Sequence, residues 1–289
     1  MATTSDDLLN HMKEYHKSFQ TVLNYGLKSR ELRYKEDAIK TVHKLRLESC
    51  IDEVRVLSIG SGKGDVDLHF INALVYKYTA IHYTVVEPAT GPLDEFKRLI
   101  ESNQERWRGV KFSFHVQGIN EYLEGGGTSD KYDVILACHS FYCFRNAGNT
   151  LRYLYDMLSK DGMLLIRVDT DGGWLKYLNY RNKFQLSRKH ISGVEAKKLT
   201  YLQFPHGSIE ILRNTNVVTV TKCFDKDSKN GNRMLDFFTE VFNFRNARPP
   251  DEVEECLRYF RDECCYVKAD EILIDVVEED IIIWKNGHT

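Results

Sequence analysis

Apolar positions follow two periods along this chain, and the switches between them mark its elements. Residues 6 to 47 carry Leu9, Met12, Phe19, Val22 and Leu23 at helical spacing, ahead of any strand-like run. They predict an N-terminal extension of about two helices. Val54, Val56, Leu57 and Ile59 then form a short apolar run that stops at Gly60-Ser61-Gly62-Lys63-Gly64. A helix-period stretch follows (Val66, Leu68, Phe70, Ile71, Leu74). A β-branched run from Tyr83 to Val86 ends on Glu87 and Pro88. The order is strand, glycine turn, helix, strand, acid. Further on, helices are expected at 93–107, 151–158, 192–204, 234–242 and 251–264. Strands are expected at 111–116, 132–137, 163–168, 209–212, 217–224 and 271–284. Strands alternating with helices predict a parallel sheet covered on both faces.

Composition narrows the picture. At 289 residues with 42% apolar residues, one large domain or two small ones can each bury a core. A net charge of −2 gives no chain-wide basic field for nucleic acid. No apolar run approaches the roughly 18 residues of a membrane span. The N-terminus lacks the cationic head and apolar stretch of a secretory signal. The seven cysteines include no C-x-x-C pair, so reduced thiols in the cytosol are expected, with no metal centre.

The glycine turn carries the chemistry. A dinucleotide fingerprint needs G-x-G-x-x-G, but here Asp65 takes the third glycine's position and Gly64 comes one residue early. The spacing fits the S-adenosylmethionine turn of class I methyltransferases better, with a dinucleotide dehydrogenase as the remaining alternative. Glu87 would accept bonds from both ribose hydroxyls. Ligands of open α/β sheets sit at the carboxyl ends of the strands. That rule selects Gly60, Gly62, Glu87, the stretch 118–120 with Asn120 beside the adenine, and residues 138–142. His139 would accept a proton from an acceptor or orient it; the plainer reading is a strand-end histidine bonded to backbone. Aromatic residues including Phe19, Tyr142, Trp174, Phe184 and Phe237 suit the walls of a site that holds a sulfonium or an ammonium. The last strand carries Asp275, Glu278, Glu279 and Asp280. One of these would bind an amine, and the run otherwise reads as a solvated charge cluster.

The segments VLSIGSGKGDVDL, HYTVVEP and DFFTEVFNF followed by ARPPDE resemble the histamine N-methyltransferase family. The similarity runs from Tyr15 nearly to the last strand. It implies a class I methyltransferase, Rossmann-like and α/β. The mostly parallel seven-stranded sheet would have helices on both faces and a smaller, mostly helical substrate-binding cap. The whole chain, 1–289, would be a single methyltransferase domain, with residues 1–48 as an N-terminal helical lid and about 170–265 contributing to the cap. The resemblance implies S-adenosyl-L-methionine as cofactor, held by Gly60, Gly62, Glu87, Asn120 and Cys138. It puts Phe19, Tyr142, Trp174, Phe184 and Phe237 on the aromatic wall. The family's three polar substrate contacts are replaced by Lys28, His139 and Val276, with Asp275 beside the last. Lys28 reverses a charge, so the expected acceptor is a small amine or amino-acid-like molecule other than histamine. Histamine itself is one rival. A catalytically silent module that binds the cofactor or a metabolite is another. A monomer free of nucleic acid and membrane is expected.

Overall fold

The computed structural model describes residues 6–26, 28–47, 52–181 and 191–285. Two helices come first, α1 (Met12–Asn24) and α2 (Lys28–Lys44). Then β1 (Val54–Ile59), α3 (Asp67–Lys77), β2 (Ile81–Val86), α4 (Thr90–Glu101), β3 (Val110–His115), α5 (Ile119–Glu124), β4 (Tyr132–Cys138), α6 (Ala147–Asp156) and β5 (Leu158–Asp169) follow in alternation. The chain continues through α7 (Gly173–Arg181), α8 (Gly193–Gln203), β6 (Ser208–Thr219), α9 (Lys229–Thr239), α10 (Phe244–Ala247), α11 (Pro250–Tyr259), β7 (Cys265–Lys268) and β8 (Glu271–Trp284).

The strands form one sheet in the order β3-β2-β1-β4-β5-β8-β6, with β7 paired antiparallel to β8. The run β3-β2-β1-β4-β5 is parallel. β1, β2 and β4 are buried along nearly their whole length, which is why they read as continuous apolar runs. The expected sheet is therefore present with eight strands where seven were expected; the added strand is the short hairpin partner β7. Two expectations about long strands also change. The segments 209–212 and 217–224 are a single strand, β6, followed by a 3-10 turn at Thr221–Phe224. β5 begins at Leu158, because Lys160-Asp161-Gly162 stays in the strand, with Asp161 at a φ of 60°.

The chain divides into two compact units. One holds residues 1–31, 169–192 and 214–278. Its core contains Trp174, Tyr177, Phe238, Phe244 and Phe260. The other holds 32–168, 193–213 and 279–289, built around Phe70, Tyr83, Phe96, Trp107 and Trp284. Among the described residues no helix is long and apolar enough to cross a membrane.

Candidate functional site

The parallel register lines up the carboxyl ends of three strands: Ile59 pairs with Val86, and Val86 with His115. The glycine turn leaves the first of these ends. Gly60, Gly62 and Gly64 have φ values of 65°, 56° and 83°, a region that costs residues with a Cβ about 1–2 kcal/mol. The three differ in what a side chain would meet. A Cβ at Gly60 would lie 2.5 Å from Cβ of Ser140, and one at Gly64 would lie 2.6 Å from the Phe96 ring. A Cβ at Gly62 would meet nothing within 4 Å. Gly60 and Gly64 are therefore fixed by packing, whereas Gly62 presents bare backbone to open space.

Glu87 ties this turn to the next strand. It is buried, and its carboxylate accepts from the Gly62 N–H at 2.9 Å and from the Ala89 N–H at 2.9 Å. The two bonds fix the carboxylate plane and leave lone pairs on both oxygens. Beside it, Ser61 Oγ is buried and lacks a hydrogen-bond partner among the described residues. An orphaned hydroxyl, a glycine facing open space and an anchored carboxylate together fit a polar ligand rich in hydroxyls. Asn120 lies in the first turn of α5, half-buried. Cys138 ends β4 against the core of the same unit.

His139 follows Cys138 directly, at a φ of 53°. Its N–H donates to the Arg167 carbonyl at 2.8 Å, and its Nε2 lies 2.9 Å from the Tyr34 hydroxyl. Tyr142 is half-buried in the 3-10 turn Phe141–Cys143. Arg167 is fully buried, and its Nε and Nη2 donate to the two Asp280 oxygens at 2.6 Å each. Burial disfavours the cation, but Asp280 outweighs it and holds the guanidinium above its ordinary pKa. Asp37 lies 3.8 Å from Arg167, and burial raises its carboxyl against the pull of that cation. The guanidinium stands 4.0 Å from the Tyr34 ring centroid.

In the unit holding residues 1–31, three expected wall residues meet. Phe237 stacks on Phe19 at 5.4 Å and on Trp174 at 5.2 Å, with Tyr15 at 5.9 Å from Phe237. Arg30 lies over Phe19 at 5.9 Å and pairs with buried Glu278 at 3.2 Å; Glu278 also accepts from Asn216 at 3.1 Å. Asp275 accepts from the Tyr266 hydroxyl at 3.0 Å, so its carboxylate is engaged on the β7–β8 hairpin. Val276 is buried in the core of this unit. Lys28 opens α2, and its side chain lies outside the described residues, as does Phe184.

The acidic run of the last strand is not a solvated cluster. Glu278, Glu279 and Asp280 are each about as buried as core residues, at 2%, 2% and 1% exposure. Each has a cation: Arg30 for Glu278, Lys197 and Arg213 for Glu279, Arg167 for Asp280. Sequence reasoning missed Tyr34, Arg167 and Arg30. A lone arginine inside the apolar run Met163–Val168 was the available signal, since an arginine there needs a buried acid.

The family model described as a methyltransferase domain matches residues 30–206, more than half of the chain. The chain belongs to this methyltransferase family. Its relatives include histamine N-methyltransferase of Cavia porcellus, 26% identical over 89% of this chain and 90% of the relative. Carnosine N-methyltransferase 2 of Gallus gallus is 24% identical over 82% of this chain and 76% of the relative. Among solved structures, the YcgJ protein from Bacillus subtilis superposes with a TM-score of 0.55 and 14% identity. That match covers 88% of this chain and 99% of the other, and it shows the shared fold. The expected likeness to histamine N-methyltransferase thus holds over nearly the whole methyltransferase.

Proposed function

We propose that this methyltransferase binds S-adenosyl-L-methionine on the Gly60–Gly64 turn and transfers its methyl group to a nitrogen of a small acceptor. The observation that carries the reading is Glu87, a buried carboxylate oriented by two backbone N–H groups beside the open face of Gly62. It would take the ribose hydroxyls, with Ser61 and Asn120 alongside and Cys138 as an apolar contact. When bound, the cofactor supplies an electrophilic methyl group on a sulfonium. The protein's own work is then to hold the acceptor nitrogen in line, exclude water and remove a proton. His139 is our candidate to orient or deprotonate the acceptor.

The relatives and the aromatic stack support the acceptor class. Relatives named for histamine and carnosine support a small nitrogenous acceptor. Phe19, Phe237 and Trp174 form an aromatic stack that runs into the core at Trp174, and such rings suit a cation or a planar ring. Residues 170–265 serve as the substrate cap and 1–48 as its lid. We take the enzyme to be a cytosolic monomer. The charge reversal at Lys28, read from the sequence, favours an acceptor that carries a carboxylate, amino-acid-like in character, over histamine. Methyl transfer from labelled S-adenosyl-L-methionine to a panel of amines and amino-acid derivatives tests this. Carnosine is expected to be the better substrate and histamine the poorer one. Efficient turnover of histamine at micromolar concentration would overturn the choice of acceptor.

A further inference from the structure

We propose that Tyr34 is a positioning residue for His139, acting as one member of a closed ring of contacts with Arg167. The inference rests on the reading of His139 as the acceptor-side residue of a methyltransferase, and it adds what holds that imidazole in place.

Three contacts close the ring. The His139 N–H donates to the backbone carbonyl of Arg167 at 2.8 Å, extending the parallel pairing in which Cys138 faces Arg167. The Arg167 guanidinium lies 4.0 Å from the centroid of the Tyr34 ring, close enough for a buried cation–π contact. The Tyr34 hydroxyl returns to His139 Nε2 at 2.9 Å. Tyr34 is 5% exposed and Arg167 1%, so neither side chain moves without repacking. Asp280 grips two nitrogens of the guanidinium and fixes its plane, and through it the position of the phenol.

The backbone of His139 adds an independent sign. A non-glycine residue at a φ of 53° is strained, and such strain persists where the surroundings over-determine the conformation. Both the backbone and the ring of His139 are tied to the Arg167–Tyr34 pair. In an imidazole, the nitrogen that carries the proton is set by the hydrogen bond its partner nitrogen makes. By holding Nε2 in a hydrogen bond, Tyr34 steadies the ring plane of His139 and restrains exchange of the ring proton between its two nitrogens, both of which proton transfer or acceptor orientation requires. Nothing in the local sequence suggested this, because Tyr34 and His139 lie 105 residues apart.

Two measurements on the full chain test the proposal. The first is the long-range proton–nitrogen NMR spectrum of the histidine rings without ligand, assigned through His139→Gln. The unaltered chain is expected to show one fixed tautomer at His139, and Tyr34→Phe, which keeps the ring under Arg167, is expected to move the two nitrogens toward averaged values. An averaged imidazole in the unaltered chain, or an unchanged spectrum in Tyr34→Phe, would overturn the proposal. The second is methyl transfer with carnosine and histamine as probes. Tyr34→Phe should lower kcat by roughly 10- to 100-fold, as for a misplaced catalytic group, with KM and cofactor affinity nearly unchanged. Equal kcat in Tyr34→Phe beside a large loss in Tyr34→Leu would reduce Tyr34 to a packing residue. A fully active His139→Ala would instead overturn the role of His139 in turnover, and the spectrum would still report separately whether Tyr34 orders the ring.

Discussion

The Gly60–Gly64 turn and the cluster around Arg167 both gather polar groups near strand ends of one unit, yet they are stabilised in opposite ways. At the turn, polar needs are met locally. Backbone N–H groups two residues from Glu87, and in the turn itself, orient its carboxylate, while Ser61 keeps a buried hydroxyl without a partner among the described residues and Gly62 faces open space. Around Arg167, the charges are buried and answer one another, with Arg33 also beside Asp37 at 3.8 Å. Asp280 comes from 113 residues away, and Asp37 and Tyr34 come from α2. The first arrangement is built to be completed by a ligand. The second is already nearly complete and works as a frame. A buried ion pair is weak evidence for stability, because the desolvation of both charges offsets much of their attraction. Its stronger effect is on specificity of position.

The largest expected effect tests that frame. Arg167→Met leaves Asp280 buried without its cation, while Asp37 keeps Arg33 at 3.8 Å. It should lower the unfolding free energy by about 3–5 kcal/mol in urea denaturation. Adding Asp280→Leu to the same chain should recover most of the loss, since apolar replacement of a whole buried pair is often neutral. If the double variant were as unstable as the single one, the loss would not come from the uncompensated Asp280 charge.

A smaller effect concerns Asp67, at the start of α3 just past the glycine turn. It is fully buried and accepts from the Tyr83 hydroxyl at 2.7 Å. Burial raises its carboxyl from 3.8 to about 6. Between those two values the folded chain holds a proton that the unfolded chain has released. Stability is therefore higher below the window, falls as pH rises through it, and is lowest above about 6. Asp67→Asn stays neutral throughout, so it should gain up to about 3 kcal/mol on the parent between pH 4 and 7. The same pH slope in both proteins would contradict the assignment.

Within the turn itself, the two outer glycines can be separated from the middle one. Gly64→Ala forces a Cβ against Phe96 and should cost about 1–3 kcal/mol more than Gly62→Ala. Gly62→Ala meets only open space in the protein. It should lose only about 1–2 kcal/mol, the cost of its left-handed backbone, and yet bind S-adenosyl-L-methionine more weakly. Equal melting of the two alanine variants would remove the distinction between packing and ligand approach.

What was legible in the sequence follows the same division. The strand–turn–helix–strand–acid order lies within about three dozen residues, where glycine spacing and periodicity are direct signals. β8 was readable because its apolar run is long, and Phe19, Trp174 and Phe237 were readable as aromatics. The charged residues of β8 were misread as solvated, because no local pattern reveals that Glu278, Glu279 and Asp280 each meet a cation from a distant element. Tyr34 was invisible for the same reason: on its own helix it is an ordinary amphipathic tyrosine. β6 was split in two by Arg213 to Asn216, whose polarity resembles a loop but is carried here by one continuous strand.

Calorimetric titration of S-adenosyl-L-methionine into Glu87→Ala, beside the unaltered chain, tests the central claim most directly. Hydrogen bonds from ribose hydroxyls to a charged group are worth about 1.5–3 kcal/mol each, so binding should weaken about tenfold or more in a variant that melts as a folded protein. Unchanged affinity in that folded variant would contradict the placement of the cofactor on the glycine turn.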